Sequence, residues 1–251
     1  MEFRDKIVFI TGGASGIGKA TAILFAKQGA KVAIGDTNIV QAKKIVEEIK
    51  TLLSKKISAY KIDITSKKCV DNSINEIIKE YKKIDILVHC AGVTDIENCD
   101  FLKLEEKIWD DIIKVNLKGT FLVCQRAMKE MVKQKYGRII TLGSLAGTIG
   151  GLVVGANYSA SKAGVIGLTK AMAKYAAPYN ITVNCISPAM IDTNMTRNWS
   201  KELIDKQINS IPLKRFGKAD EIASAIVYLA SSKAAFITGA TININGGLFM
   251  G

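Results

Sequence analysis

Seven short runs rich in isoleucine and valine punctuate the chain, at residues 6–11, 31–35, 57–62, 84–89, 137–143, 180–186 and 240–245. Longer segments with apolar residues at helical spacing separate them, among them Ala20 to Lys27 and Ile45 to Leu53. Trp109 to Val132 and Tyr158 to Tyr175 read as two long helices. Strands that are apolar throughout, rather than on alternate positions, need cover on both faces, and strands separated by helices pair in parallel. The pattern predicts an α/β fold with a doubly wound, seven-stranded parallel sheet and helices on both faces. Such sheets bind ligands beyond the carboxyl ends of their strands, where strand order reverses.

Composition narrows the class. The 251 residues contain three prolines and no linker-like or repetitive tract, so residues 1–251 are expected to form one domain. The charged start Met1-Glu2-Phe3-Arg4-Asp5 runs straight into the first strand, and no apolar stretch approaches the roughly 20 residues that cross a bilayer. A soluble, cytoplasmic protein without a membrane partner is expected. The net charge of +12 comes from lysines interleaved with acids, as in Lys43-Lys44 with Glu47-Glu48, which describes solvated helix faces rather than a nucleic-acid surface. Five dispersed cysteines and a single histidine, His89, offer no metal site, and Cys90 and Cys185 read as buried hydrophobes.

The first strand opens into V-F-I-T-G-G-A-S-G-I-G-K (residues 8–19). Gly12, Gly16 and Gly18 miss the spacing of the general dinucleotide fingerprint. The physics still suits a phosphate: a small-residue loop lets backbone N–H groups approach an anion, and a helix starting near Ser15 aims its positive end there. The second strand ends in Asp36, from which a carboxylate can bond both ribose hydroxyls of an adenosine. Capping of the next helix is its alternative role. A carboxylate on the ribose would repel a 2′-phosphate by roughly 1–4 kcal/mol at 4 Å, and neither Ser15 nor Thr37 supplies an offsetting cation. NAD is therefore expected in preference to NADP.

Asn157-Tyr158-Ser159-Ala160-Ser161-Lys162-Ala163 places Tyr158 and Lys162 on one helix face, after the strand Gly137-Arg138-Ile139-Ile140-Thr141-Leu142-Gly143-Ser144. With the seven-strand pattern and the glycine loop, this resembles the short-chain dehydrogenase/reductase family over essentially the whole chain. The resemblance implies a Rossmann fold and a catalytic set of Asn116, Ser144, Tyr158 and Lys162. It implies a nicotinamide cofactor held by Gly12, Ser15, Gly16, Ile17 and Gly18, by Asp36, and by Asp63 and Ile64 beside the adenine. Ala91, Gly92, Pro188, Ile191 and Thr193, with Tyr158 and Lys162 themselves, complete that cofactor set. Two stretches depart from the family: His89-Cys90-Ala91-Gly92 stands where N-N-A-G is frequent, and Pro188-Ala189 where P-G is frequent.

In this family's chemistry the tyrosine exchanges a proton with the alcohol or ketone oxygen while the cofactor carries the hydride. A lysine cation about 4 Å away, at an effective dielectric near 20, supplies roughly 4 kcal/mol toward a phenolate. Ser144 would hydrogen-bond the reacting oxygen, and Asn116 would position a water that links Lys162 to solvent. Within the family, Gly137-Arg138-Ile139-Ile140-Thr141, Ile191-Asp192-Thr193-Asn194-Met195-Thr196 and the C-terminal Ile237-Thr238-Gly239-Ala240 with Asn245-Gly246-Gly247 are most similar to 3-oxoacyl-acyl-carrier-protein reductases. Those enzymes usually prefer NADPH and dock their acidic carrier with arginines, whose counterparts here are Lys135 and Tyr179. Hence two substrate classes stand side by side: an acyl thioester, and a polyol, sugar alcohol or hydroxy acid oxidised with NAD. The small residues Ala163, Gly164, Gly167, Ala171 and Ala173 suggest close helix pairing across a two-fold axis, and the resemblance implies a homotetramer.

Overall fold

In the computed structural model, which describes residues 1–53, 56–94, 96, 98–151, 153–193 and 199–251, the apolar runs form a single sheet. Its strands are β1 (Ile7–Thr11), β2 (Lys31–Asp36), β3 (Ile57–Lys61), β4 (Ile86–His89), β5 (Gly137–Leu142), β6 (Ile181–Pro188) and, after two short strands, β9 (Thr241–Ile244). They lie in the order β3-β2-β1-β4-β5-β6-β9, every neighbouring pair parallel. The chain builds outward from β1 to β3, then returns to β4 on the other side of β1. That reversal leaves a crevice at the carboxyl ends of β1 and β4, where Thr11 stands level with Gly35 on one side and His89 on the other.

Period-two alternation within each strand divides the core into two layers. Val8 and Ile10, with Val32, Ile34, Ile86 and Val88, meet α1 (Gly16–Lys27), α2 (Ile39–Leu53) and α9 (Ala219–Ala230) through Phe25, Ile45, Ile49, Ile222 and Ile226. Ile7 and Phe9, with Ala33, Leu87, Ile139 and Val183, meet α3 (Lys67–Tyr81), α5 (Gly119–Gln134) and α7 (Ala156–Ala176) through Ile74, Ile77, Val123, Met131 and Met172. Each such side chain, fully withdrawn from water, contributes on the order of 1.5–3 kcal/mol. No helix among the described residues is long and apolar enough to cross a membrane.

Two features depart from the periodic pattern. The long helix expected over 109–132 is built of α4 (Glu106–Ile113) and α5 joined by a π-helical turn at Lys114–Lys118. One inserted residue widens a single turn without disturbing apolar spacing on either side, so hydrophobic periodicity does not report it. The second is a two-residue parallel pair, β7 (Ile191–Asp192) with β8 (Gly217–Lys218), beyond the sheet. Between them α8 (Lys201–Ser210) starts from Ser200, whose hydroxyl accepts the Leu203 N–H at 3.2 Å. Asn194, Met195 and Thr196 lie outside the described residues.

Candidate active site

The glycine loop is shaped by close approach. A Cβ on Gly18 would stand 2.1 Å from the Gly12 carbonyl oxygen, and one on Gly12 would stand 2.7 Å from the Ala91 nitrogen, with Gly12 at φ +66°. Neither position admits another residue without moving backbone. The loop is thereby drawn against β4, and α1 follows from Ser15 at its N-cap, with the amino end of the helix facing the crevice. Asp36 reaches back to this loop: one carboxylate oxygen accepts the Ala14 N–H at 3.1 Å and the other the Asn38 N–H at 2.9 Å. Helix α2 is capped by Asn38, which accepts the Gln41 N–H at 3.0 Å, so the capping role weighed for Asp36 belongs to its neighbour.

His89 closes β4 directly behind the loop. It is buried, its Nδ1 shares a 2.9 Å hydrogen bond with the Thr11 hydroxyl, and that oxygen also accepts the Ala91 N–H at 3.4 Å. Its Nε2 has no partner among the described residues. Burial first, and the Lys162 charge second, push the imidazole down to about 3. The ring is therefore neutral at physiological pH and serves as a strand tie. Cys90, expected to be a buried hydrophobe, is partly buried against the core and also lines the cavity, with burial pushing its thiol up to about 12 against the opposing pull of Lys162; Cys185 is fully buried as expected.

Helix α7 carries Tyr158 and Lys162 on one face. The Lys162 ammonium is buried, donates to the Leu142 carbonyl at 2.9 Å, and lies 5.7 Å from the centre of the Tyr158 ring. Anchoring by the last carbonyl of β5 fixes where this cation can act. Ser144 follows that strand, its hydroxyl accepting the Ala146 N–H at 3.2 Å, at the start of α6 (Ala146–Ile149). Asn116 sits in the π turn, 1% exposed: its amide donates to the Val93 carbonyl at 2.9 Å and the Ser161 hydroxyl at 3.1 Å, and accepts the Val93 N–H at 2.9 Å. The widened turn frees this side chain to hold the segment after β4.

One cavity of about 730 Å³ gathers most of these groups. Gly12, Ser15, Gly16, Ile17, Gly18, Asp36, Ile64, Ala91, Gly92, Ser144, Tyr158, Lys162, Pro188, Ile191 and Thr193 all line it. Asp63 and Asn116 do not. The Asp63 carboxylate is taken up by the Thr65 N–H and hydroxyl at 2.9 and 2.7 Å, which hold it well below the usual carboxylate range, while flanking Ile62 and Ile64 supply the wall. Asn116 stands behind the wall: its carboxamide oxygen would lie 3.1 Å from a Cβ on Gly92, and Lys162 Nζ 3.6 Å. Sequence reasoning missed the far wall, made by Val153 and Val154 before α7, Met190, Trp199, Leu248, and Lys206, Gln207 and Ser210 of α8. Apart from Met190, which lies between the expected Pro188 and Ile191, its residues come from segments with no motif, and α8 has a mostly exposed, polar sequence.

The donor set fits a dinucleotide. A glycine cradle that a Cβ would fill, a helix amino end, a carboxylate at the tip of the neighbouring strand and a cavity of dinucleotide scale meet at the strand-order reversal. Among the described residues no group of His, Cys, Asp and Glu side chains could hold a metal ion.

Comparison with known proteins places this arrangement in a family. A family model described as enoyl-(acyl carrier protein) reductase matches residues 12–249. A 3-oxoacyl-[acyl-carrier-protein] reductase of Thermotoga maritima is 40% identical over 248 residues, 99% of each chain. Among solved structures, an NAD-bound 3-oxoacyl-[acyl-carrier protein] reductase from Brucella melitensis superposes with a TM-score of 0.93 at 29% identity, covering 100% of this chain and 93% of that one. An NAD⁺-bound xylitol dehydrogenase gives 0.93 at 28% identity, covering 98% of this chain and 100% of that one. The chain belongs to the short-chain dehydrogenase/reductase family, oxidoreductases that act on CH–OH groups with a nicotinamide cofactor.

Proposed function

We propose that the protein is a cytoplasmic, NAD-preferring reductase of 3-oxoacyl thioesters, built as one domain. The observation that carries this reading is the shared cavity: Tyr158, Lys162 and Ser144 open onto the same space as the glycine loop, and the substrate wall carries an aliphatic stretch, Ile149, Val153, Val154, Met190 and Leu248, together with the α8 side chains Lys206, Gln207 and Ser210. An acyl chain suits that stretch. A polyol would leave several hydroxyls buried against it without partners, a costly arrangement, so the likeness to a xylitol dehydrogenase is read as one of scaffold.

The loop around Gly12 and Gly18, with Ser15, Gly16 and Ile17, would hold the pyrophosphate; Asp36 would take the adenosine ribose; Ile191 and Thr193 would close over the nicotinamide. Bound there, the reduced cofactor supplies the hydride for the carbonyl carbon. Tyr158 gives its phenolic proton to the carbonyl oxygen, which Ser144 hydrogen-bonds. Lys162, fastened to the Leu142 carbonyl, stabilises the phenolate left behind. Asn116 acts as a positioning residue through Val93 and Ser161.

Assembly into a homotetramer is part of the same reading. Phe121 of α5 and Ala163, Gly167, Ala171 and Tyr175 of α7 are exposed, whereas Ala173 is buried and Gly164 packs on Leu117 within the protomer. Ile242 within the edge strand β9 and Phe236 before it are also exposed. Turnover by the purified protein tests the function: acetoacetyl thioesters of coenzyme A and of acyl carrier protein, xylitol and 3-hydroxybutyrate are assayed with both cofactor pairs. Thioester reduction with NADH is expected to dominate, and a higher kcat/KM on xylitol than on either thioester overturns the reading.

A further inference from the structure

Gln207 is the one residue of α8 buried from solvent, at 9% exposure, and its side chain belongs to the cavity wall. A glutamine amide carries two N–H donors and an accepting carbonyl. Among the described residues nothing hydrogen-bonds this amide; Ser210, one turn on, spends its hydroxyl on the Gln207 backbone carbonyl at 2.6 Å. Of the same wall, Met190, Leu248, Val153 and Val154 offer no polar side chain, and the Trp199 indole N–H, itself without a partner among the described residues, can only donate. Buried amides are nearly always paired. One that faces an apolar cavity without a protein partner is placed to be completed by what enters that cavity.

We propose that Gln207 is the specificity-determining residue of the substrate half, donating an amide N–H to the second carbonyl oxygen of a 3-oxoacyl thioester, the one beyond the reacting ketone. The assignment rests on the reductase reading above and adds to it the group that separates a thioester from a simple ketone. Of the polar side chains α8 brings to the cavity, Lys206 is exposed and Ser210 is already bonded, which leaves Gln207 as the buried donor. A site built to hydrogen-bond one substrate group discriminates against analogues that lack it, because its own polar atom is then left unpaired.

The test compares acetoacetyl-N-acetylcysteamine with 2-hexanone as NADH-dependent substrates of the wild type, Gln207→Met and Gln207→Glu. The methionine keeps the length without a donor; the carboxylate keeps shape and polarity without an N–H, should the apolar variant fold poorly. The ratio of kcat/KM, thioester over ketone, is expected to fall about 10- to 100-fold in both variants. Calorimetric binding of 3-hydroxybutyryl-N-acetylcysteamine should weaken by a similar factor. A ratio unchanged within about twofold, or equal losses on both substrates, overturns the role of Gln207 while leaving the reductase reading intact. A wild type that reduces the ketone but not the thioester overturns both.

Discussion

His89 is the only histidine in the protein, and its burial makes one stretch of the stability–pH curve attributable to one side chain. Its ordinary value of 6.5 is pushed down to about 3 in the folded chain. Between those values the unfolded chain binds a proton that the folded one refuses, so stability falls as pH falls below about 6.5 and keeps falling toward about 3. The loss at pH 5 is about 2 kcal/mol per protomer, approaching about 5 kcal/mol at the lower limit, from 1.36 kcal/mol per pK unit. The carboxylates held low by their partners, Asp71 beside Lys67 and Glu130 beside Lys133 and Arg126, lose their contribution only below about pH 4.5, which overlaps the lower part of the His89 range but leaves the interval above pH 5 to His89. Urea unfolding at fixed protein concentration should therefore show the midpoint dropping by roughly 0.5–1 M between pH 7.5 and pH 5. In His89→Asn, which removes the titrating ring, the same interval should be nearly flat. A wild-type midpoint that does not move, or a slope that survives in the variant, refutes the buried neutral imidazole as its cause.

Tyr158→Phe should lower kcat by about 10²- to 10⁴-fold with the circular dichroism spectrum unchanged, since the proton donor is lost while the ring remains; substantial residual turnover would remove Tyr158 from its role. Asp36→Ala combined with Thr37→Arg should move the kcat/KM ratio toward NADPH by roughly 10- to 100-fold, exchanging a repulsive charge for an attractive one at the mouth of the cavity. A wild type that already prefers NADPH contradicts the reading of Asp36. Light scattering at micromolar concentration should give about 109 kDa for four chains of 27.2 kDa; a value near 27 kDa leaves the exposed faces of α5 and α7 unexplained, and one near 54 kDa leaves only one of the two faces in use.

Much was legible from local pattern alone. Short continuous apolar runs rich in Ile and Val and separated by helical segments read as strands covered on both sides, and the seven strands fall within two residues of the expected bounds. Gly18 is likewise local in cause, because the loop closes on Gly12 there, whereas Gly12 itself is required by the approach of Ala91 from the end of β4. The i, i+4 spacing of Tyr158 and Lys162 assigns them one helix face whatever surrounds the helix. Other properties exist only once distant segments meet. The π turn that releases Asn116 is stabilised by Val93 and Ser161, neither of them sequence neighbours. Asp36 turns to the glycine loop rather than to its own helix because Asn38 takes the cap. His89 is neutral because the sheet buries it near Lys162, and Gln207 matters because β7 and β8 hold α8 over the cavity, where a polar surface helix in sequence contributes one buried amide. Periodicity reports which face of an element is apolar; desolvation, and the partner a polar group finds or lacks, depend on what the rest of the chain places opposite it.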